Sequence, residues 1–272
     1  MKTISDFIKY PIYHNSRFHD KIALKTRYSC GYCPICNNLT VFRVNSSSLR
    51  ETLECRICKS TNRQRQLIYV TLESIYRITG NRLKSLKHID QIDNINIYNT
   101  ETAGAIHDAL LKHKNYVYSE YLGSNMKSGS KINNILHEDL MSLSFESNSF
   151  DIVLSADVLE HIPSPYLAHK EIYRILKPNG RHVFTVPFAQ TEYFDEQRAI
   201  LNEKEEIKFI KEPIYHIDPL RESGALVYTI FSLQMLLELK KIGFITNLYH
   251  LYKPFYGIMG NNAIVFEAIK VA

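Results

Sequence analysis

The stretch FDIVLSADVLEHIPSPYLAHKEIYRILKPNGRHVFTVPF, residues 150–188, decides the fold. It begins with an apolar strand that ends near Ser155, passes through DVLEH into a helix expected over residues 166–176, and continues through LKPNG into a second apolar strand. A strand, a helix and a strand in this order form a crossover unit, which joins parallel strands. The pattern repeats around it: strands are predicted in NINIYN, YVYSE, NNILHED, FITNLYHLY and NAIVFEAI, and helices over residues 104–113 and 229–242. The sequence from about residue 88 therefore predicts an α/β domain with a mostly parallel sheet and helices on both faces.

The same stretch resembles class I S-adenosylmethionine-dependent methyltransferases of the type 11 kind, in which FD, LEH and a LKP turn recur at this spacing. The resemblance covers residues 88–190 in order and implies a Rossmann-like methyltransferase sheet with S-adenosylmethionine as cofactor. More narrowly, YVYSEYLG, HEDLMSLSFESNSFD, FTVPF and YHIDP, preceded by cysteine knuckles, look like a bacterial subgroup that accompanies surface-polysaccharide genes.

The turn between the first strand and its helix carries one glycine, Gly104. Glycine-rich loops of dinucleotide folds let the backbone approach a pyrophosphate. S-adenosylmethionine has no phosphate, so one glycine can suffice. The resemblance implies that Glu120 binds the ribose hydroxyls, that Tyr121 packs on the adenine and that Asp139 receives the adenine amino group, although a surface acid and a plain core aromatic are alternatives for the first two. The complete set of expected cofactor-binding residues is Thr100, Glu101, Gly104, Glu120, Tyr121, Asp139, Leu140, Ser155 and Asp157.

Methyl transfer to a hydroxyl needs precise positioning and a base. His161 in DVLEH follows the fourth strand, at the edge where open α/β sheets bind ligands. His216 and Asp218 in YHIDP lie in a charged, aromatic insertion at about residues 189–223, expected to cover the carboxyl edge of the sheet. We expect these three as catalytic residues, with a packing role as the alternative for His161. Arg198 is either a clamp for an anionic substrate or a surface residue.

All five cysteines fall between residues 30 and 58. Cys33, Cys36, Cys55 and Cys58 form a C-x2-C-x18-C-x2-C pattern, in which each short turn can aim two sulfurs at one tetrahedral ion. Four thiolates leave no position for a substrate, so we expect structural Zn²⁺, with an iron–sulfur cluster as a minor alternative and Cys30 as a spare. Residues 1–80 then form an arm, a zinc ribbon and a connector helix that ends at Gly80, followed by the methyltransferase domain in residues 81–272.

Composition limits the function classes further. Basic residues outnumber acidic ones by more than two to one in residues 1–80, which can attract an anionic partner; Arg63 and Arg65 are candidate anion contacts or parts of a solvated helical turn. No apolar run reaches the ~20 residues of a membrane span, and residues 1–21 lack a signal-peptide pattern, so a cytoplasmic protein is expected.

The leading interpretation is methyl transfer to a hydroxyl of a sugar, sugar-phosphate or glycan-linked intermediate. An RNA base methyltransferase is the alternative, although residues 1–80 lack the interleaved basic and aromatic residues of an RNA groove. A non-catalytic zinc-ribbon binding module is the third possibility.

Overall fold

The computed structural model describes residues 17–204, 206–218 and 221–271. Most of the expected irregular arm, residues 1–16, lies outside these ranges. The helices are α1 Arg17–Thr26, α2 Asn62–Thr79, α3 Ala105–Leu110, α4 Pro165–Ile175 and α5 Leu233–Ile242. The strands are β1 Tyr28–Cys33, β2 Asn38–Arg43, β3 Glu54–Cys55, β4 Ile97–Asn99, β5 Tyr116–Tyr118, β6 Lys131–Ile132, β7 Ile135–Leu136, β8 Phe150–Ala156, β9 Leu176–Thr185, β10 Glu196–Gln197, β11 Ala199–Leu201, β12 Ile207–Phe209, β13 Tyr215–Asp218, β14 Arg221–Leu226, β15 Thr229–Ile230, β16 Phe244–His250 and β17 Ile264–Lys270. Short 3₁₀ turns occupy Leu49–Glu51, Leu86–Gln91, Leu159–His161 and Pro254–Tyr256.

Six strands form the central sheet in the order β16-β17-β9-β8-β4-β5. The strands β5, β4, β8 and β9 run parallel, whereas β17 is antiparallel to both β9 and β16. No helix of the described residues lies between β16 and β17, so these two strands pair as an antiparallel unit. The sheet is therefore Rossmann-like and mixed, and the expected parallel arrangement holds for its four-strand half.

Adjacent residues of the sheet strands face opposite cores. Ile97, Leu154 and Val183 belong to a hydrophobic cluster on one face that also contains residues of α2, α3 and the cysteine-rich region. Their neighbours Tyr98, Val153 and Phe184 belong to a second cluster with residues of α4 and α5 on the other face. Because both faces of these strands are buried, successive residues are apolar and the strands form continuous apolar runs in the sequence. The expected helical covering of both faces is confirmed among the described residues.

The cysteine-rich region is a three-stranded antiparallel sheet, β1-β2-β3, which we call the ribbon. It is followed by α2, which begins with a capping box between Thr61 and Gln64 and ends at Gly80, whose φ of 74° closes the helix. The connector helix therefore ends where it was predicted to end, at Gly80. Arg65 is fully buried in this helix and donates hydrogen bonds to the carbonyls of Leu53, Ser60, Tyr256 and Gly257. It ties the ribbon to the C-terminal part of the chain, so the expected anion contact is wrong for Arg65.

Two local predictions were wrong in extent. NNILHED does not form a strand of the central sheet: β7 pairs with β6 in a hairpin, and only an isolated bridge joins Glu120 and His137. The helix expected over residues 229–242 begins at Leu233, because β15 pairs with β10 and Ser232 caps the helix. No helix in the described ranges is long and apolar enough to cross a membrane.

Candidate active site

The sheet has one point at which its strand order reverses. From β4 the chain moves outward to β5, and it later returns to place β8 on the other side of β4. Open α/β sheets bind ligands outside the carboxyl ends of the strands at such a point. The residues that follow these two strand ends are Thr100, Glu101 and Asp157, all expected from the sequence as cofactor-binding residues. We call this place the switch-point crevice.

Asp157 is held by residues of the N-terminal region. Both of its carboxylate oxygens accept hydrogen bonds from Arg50, at 2.6 Å each, and Oδ1 also accepts one from Thr185 at 2.8 Å. The Nε atom of Arg63 lies 3.4 Å from Oδ2. Burial alone would raise the pKa of Asp157, but the charge of Arg63 and the bonds from Arg50 outweigh it and lower the pKa to about 2. Asp157 is therefore a charged anchor between the ribbon and the sheet.

The loop after β4 lies beneath the start of α2. A Cβ atom at Gly104, where φ is 92°, would come within 3.4 Å of the Gln64 amide nitrogen. Burial raises the pKa of Glu101 to about 7; Arg63 opposes this change, whereas the carboxylates of Asp157 and Glu120 add to it. Two buried groups beside this loop have no hydrogen-bond partner in the part of the chain that the structure describes: the Thr100 hydroxyl and Nη1 of Arg63. Unpaired buried polar groups are rare, and a bound ligand is one way to satisfy them.

The residues expected around the ribose and adenine follow β5 and the β6–β7 hairpin. Glu120 accepts a hydrogen bond from the Thr102 hydroxyl at 3.2 Å. The Tyr121 side chain is 38% exposed, and its ring centre lies 5.5 Å from that of His137. Asp139 uses Oδ1 to accept a bond from the Met141 amide.

Two further expected cofactor residues are enclosed by the fold. Leu140 is buried in the cluster beneath α4 and α5. The Ser155 hydroxyl is buried and bonded to Nε2 of His182 at 2.9 Å, so this side chain is engaged inside the sheet.

The structure brings the two expected catalytic histidines together. His161 ends the 3₁₀ turn Leu159–His161 after β8, and His216 lies in β13 of the insertion. The Nδ1 atom of His216 is 3.3 Å from Nε2 of His161, and the two rings are perpendicular. The insertion therefore reaches the carboxyl edge of the sheet, as expected. The third expected catalytic residue, Asp218, has its backbone in β13, and its side chain lies outside the described part.

Glu160 completes this cluster, although it was not expected from the sequence. Its side chain is fully buried, and one oxygen, Oε1, lies 3.7 Å from both His161 Nε2 and His216 Nδ1. Burial, assisted by the nearby carboxylate of Asp157, raises the pKa of Glu160 well above its ordinary value. Glu160, His161 and His216 are called the triad below.

Arg198, the expected substrate clamp, is engaged inside the insertion. It forms an ion pair with Glu196 and donates a hydrogen bond to the carbonyl of Glu212. Its guanidinium therefore supports the insertion's own hairpins.

The four expected metal-binding cysteines meet at one point. The Sγ atoms of Cys33 and Cys58 are 3.7 Å apart, those of Cys36 and Cys55 are 3.9 Å apart, and all four lie within 4.8 Å of one another. A tetrahedral zinc ion with bonds of about 2.3 Å separates its sulfurs by about 3.8 Å. The donor set therefore fits a structural zinc ion, whereas Cys30 is exposed and outside the group.

Part of the chain is similar in sequence to known methyltransferases. Residues 103–184, less than a third of the chain, match the family model described as a methyltransferase domain. A segment is 38% identical over 66 residues to cycloartenol-C-24-methyltransferase of Arabidopsis thaliana, covering 24% of this chain and 19% of that protein. Over 51 residues the chain is 47% identical to demethylmenaquinone methyltransferase of Staphylococcus haemolyticus, covering 18% of this chain and 21% of that protein. The chain thus spans about a fifth of the length of these relatives.

Solved structures give a similar result at lower identity. A 1,6-didemethyltoxoflavin-N1-methyltransferase from Burkholderia thailandensis, solved with S-adenosylhomocysteine, is 12% identical with a TM-score of 0.41, covering 75% of this chain and 81% of that one. A methyltransferase from Methanosarcina mazei is 19% identical with a TM-score of 0.38, covering 66% and 94%.

Proposed function

We propose that this chain is an S-adenosylmethionine-dependent methyltransferase that methylates a hydroxyl of a sugar, sugar-phosphate or glycan-linked intermediate. The observation that carries the proposal is the switch-point crevice: it lies beside the segment that matches the methyltransferase domain, and it contains buried polar groups without partners in the described ranges. The relatives' names include methyltransferases of quite different acceptors, so the acceptor is inferred from the site.

The residues of the crevice fit a cofactor with a cationic centre and a carboxylate. Arg63 has a buried, unpaired Nη1 that can bind an anionic group such as the carboxylate of the methionine portion. Glu101 and Thr100 offer acceptors on the same loop, and the position of Glu120 after β5 supports the proposal that it binds the ribose hydroxyls. When bound, S-adenosylmethionine supplies a methyl group on a sulfonium sulfur, which is a good leaving group.

The histidines of the triad support a hydroxyl acceptor. His161 Nδ1 lies 2.8 Å from the Leu226 carbonyl oxygen, and a carbonyl can only accept a hydrogen bond. A neutral His161 therefore carries its proton on Nδ1 and has a lone pair on Nε2, which can accept the proton of an acceptor hydroxyl as the new bond forms. His216, which is 39% exposed, covers this nitrogen from the solvent side and can orient the acceptor.

Methylation of an RNA base remains the second candidate because the ribbon and basic residues 1–80 suit a nucleic acid partner. The structure gives it less support, because Arg50, Arg63 and Arg65 all point inward to carboxylates or carbonyls and not to an outer surface.

The test measures S-adenosylhomocysteine binding by calorimetry and then screens nucleotide sugars and RNA for methyl transfer. We expect binding of the cofactor product, methylation of a sugar compound, and loss of turnover by about 10²–10⁴ in His161→Ala at saturating cofactor with unchanged cofactor affinity. His216→Ala should lose less. No binding of S-adenosylhomocysteine would overturn the cofactor assignment, and methylation of RNA alone would overturn the acceptor.

A further inference from the structure

The buried carboxylate of Glu160 has no conventional partner. Within residues 17–204, 206–218 and 221–271, neither oxygen accepts a hydrogen bond, although the side chain is fully buried. Two imidazole nitrogens, His161 Nε2 and His216 Nδ1, each lie 3.7 Å from its Oε1 atom. Buried carboxylates normally have short hydrogen bonds or ion pairs, so this separation calls for another group between the three side chains.

The spacing of the three donor atoms matches a metal site. The donor atoms of His161, His216 and Glu160 are separated by 3.3, 3.7 and 3.7 Å. A divalent ion with ligand bonds of 2.0–2.2 Å holds tetrahedral ligands about 3.3–3.6 Å apart. Two imidazoles and one carboxylate are a common ligand set for first-row divalent metals, and three protein ligands leave positions open for another ligand.

The surroundings hold the ligands in place. The Nδ1–H group of His161 donates to the Leu226 carbonyl, which directs Nε2 toward the cluster, as outer hydrogen bonds do for metal-bound histidines. The Tyr228 amide donates to the Glu160 carbonyl at 2.7 Å and fixes the turn that carries both residues. The third ligand arrives on a paired strand, β13. The ligands therefore come from two elements, the turn after β8 and β13, and β14 connects them because it pairs with β13 and its Leu226 carbonyl bonds to His161.

We propose that Glu160, His161 and His216 bind a divalent first-row transition-metal ion, separate from the zinc of the ribbon, with an open position for an oxygen of the acceptor. The role in the reaction rests on the proposed function: with the ion bound, Nε2 of His161 would be a ligand and no longer the base. A hydroxyl bound to the ion would become more acidic, release its proton to solvent and be held for attack on the methyl group. Metal binding itself does not depend on that function.

The test is a metal titration of the full-length chain. The zinc content of the purified protein is measured first, and Mn²⁺ is then added and its free fraction followed by electron paramagnetic resonance. Mn²⁺ prefers oxygen and nitrogen ligands over thiolates, so it reports on the triad and not on the ribbon. The variants are Glu160→Gln and His216→Ala, and His250→Ala is the control because His250 bonds to the Asn261 carbonyl far from the triad.

We expect one bound Mn²⁺, or a second zinc that already occupies the site, in the unmodified chain and in His250→Ala, with affinity at least about tenfold weaker in the two triad variants. Equal binding in all four proteins, or one zinc and no Mn²⁺ in the unmodified chain, overturns the proposal. Circular dichroism shows whether the variants remain folded, and the same samples are titrated with S-adenosylhomocysteine by calorimetry. This titration separates the two ideas: cofactor binding without the second ion rejects only the metal site, and ion binding without cofactor rejects only the methyltransferase.

Discussion

Replacing Arg50 with methionine tests whether charge holds the ribbon to the central sheet. The drop in the pKa of Asp157 from 3.8 to about 2 corresponds to about 2.4 kcal/mol of net stabilisation of the carboxylate. Arg63 and Thr185 share this effect with Arg50 and remain in the variant. We therefore expect Arg50→Met to lower the free energy of unfolding by about 1–2 kcal/mol, which is about 2–8 °C in melting temperature for a domain of this size.

The assay is a double-mutant cycle with Asp157→Asn, followed by thermal and urea unfolding of the zinc-loaded protein. Because the folded pKa of Asp157 is depressed, the stabilisation is present above about pH 4 and is lost as the pH falls toward 2, so the coupling should be equal at pH 6 and pH 8. Arg82→Met is the matched control, since its ion pair with Glu73 is exposed and should contribute little. A coupling below about 0.3 kcal/mol between positions 50 and 157 would refute the reasoning, since contacting residues in one network normally couple more strongly.

Three other predictions concern the metal and the crevice. Metal analysis should find zinc lost and the ribbon unfolded in Cys55→Ser, because metal binding supplies the folding free energy, whereas Cys30→Ser should keep both; equal zinc in the two variants would contradict the assignment. Glu120→Ala should weaken S-adenosylhomocysteine binding by one to two decades, since charge-assisted hydrogen bonds contribute about 1.5–3 kcal/mol, and unchanged affinity by calorimetry would reject the ribose contact. The pKa of Glu101 is raised from 4.5 to about 7, so the native state loses stability as the pH rises between these values. Glu101→Gln should therefore have the same free energy of unfolding as the unmodified chain at pH 4.5 and a higher one at pH 8, by up to about 3 kcal/mol. An equal difference at both pH values would contradict this explanation.

The local pattern of the sequence was sufficient for most of the fold. Apolar strands separated by helical periodicity predicted β8, α4 and β9, and the cysteine spacing predicted a group whose sulfurs now lie at tetrahedral distances. Helix α5 was extended too far because pairing of Thr229–Ile230 with β10 overrides a short run of helix-compatible residues.

Part of the candidate site was predictable because its residues follow strands, and His216 was predicted from the YHIDP stretch of the insertion. Glu101 and His161 were found in this way, because carboxyl ends of strands meet at one edge. No sequence pattern indicated a role for Arg50, because its partner Asp157 lies 107 residues further along the chain. Glu160 stood beside His161 in DVLEH, but no periodicity shows which side chain of a 3₁₀ turn points inward.

The buried Arg65 has a consequence for how the chain is made. Its acceptor at Gly257 lies 192 residues further along the chain. Ribosomes add about 5–20 residues per second, so roughly 10–40 s separate the synthesis of the two groups. All four clustered thiols are synthesised before that interval begins, whereas the carbonyls of Tyr256 and Gly257 and the β17 strand beside α2 arrive at its end. The ribbon therefore spends this time without its final packing, and early metal capture would be the means of keeping its thiols from oxidation until the last strand is in place.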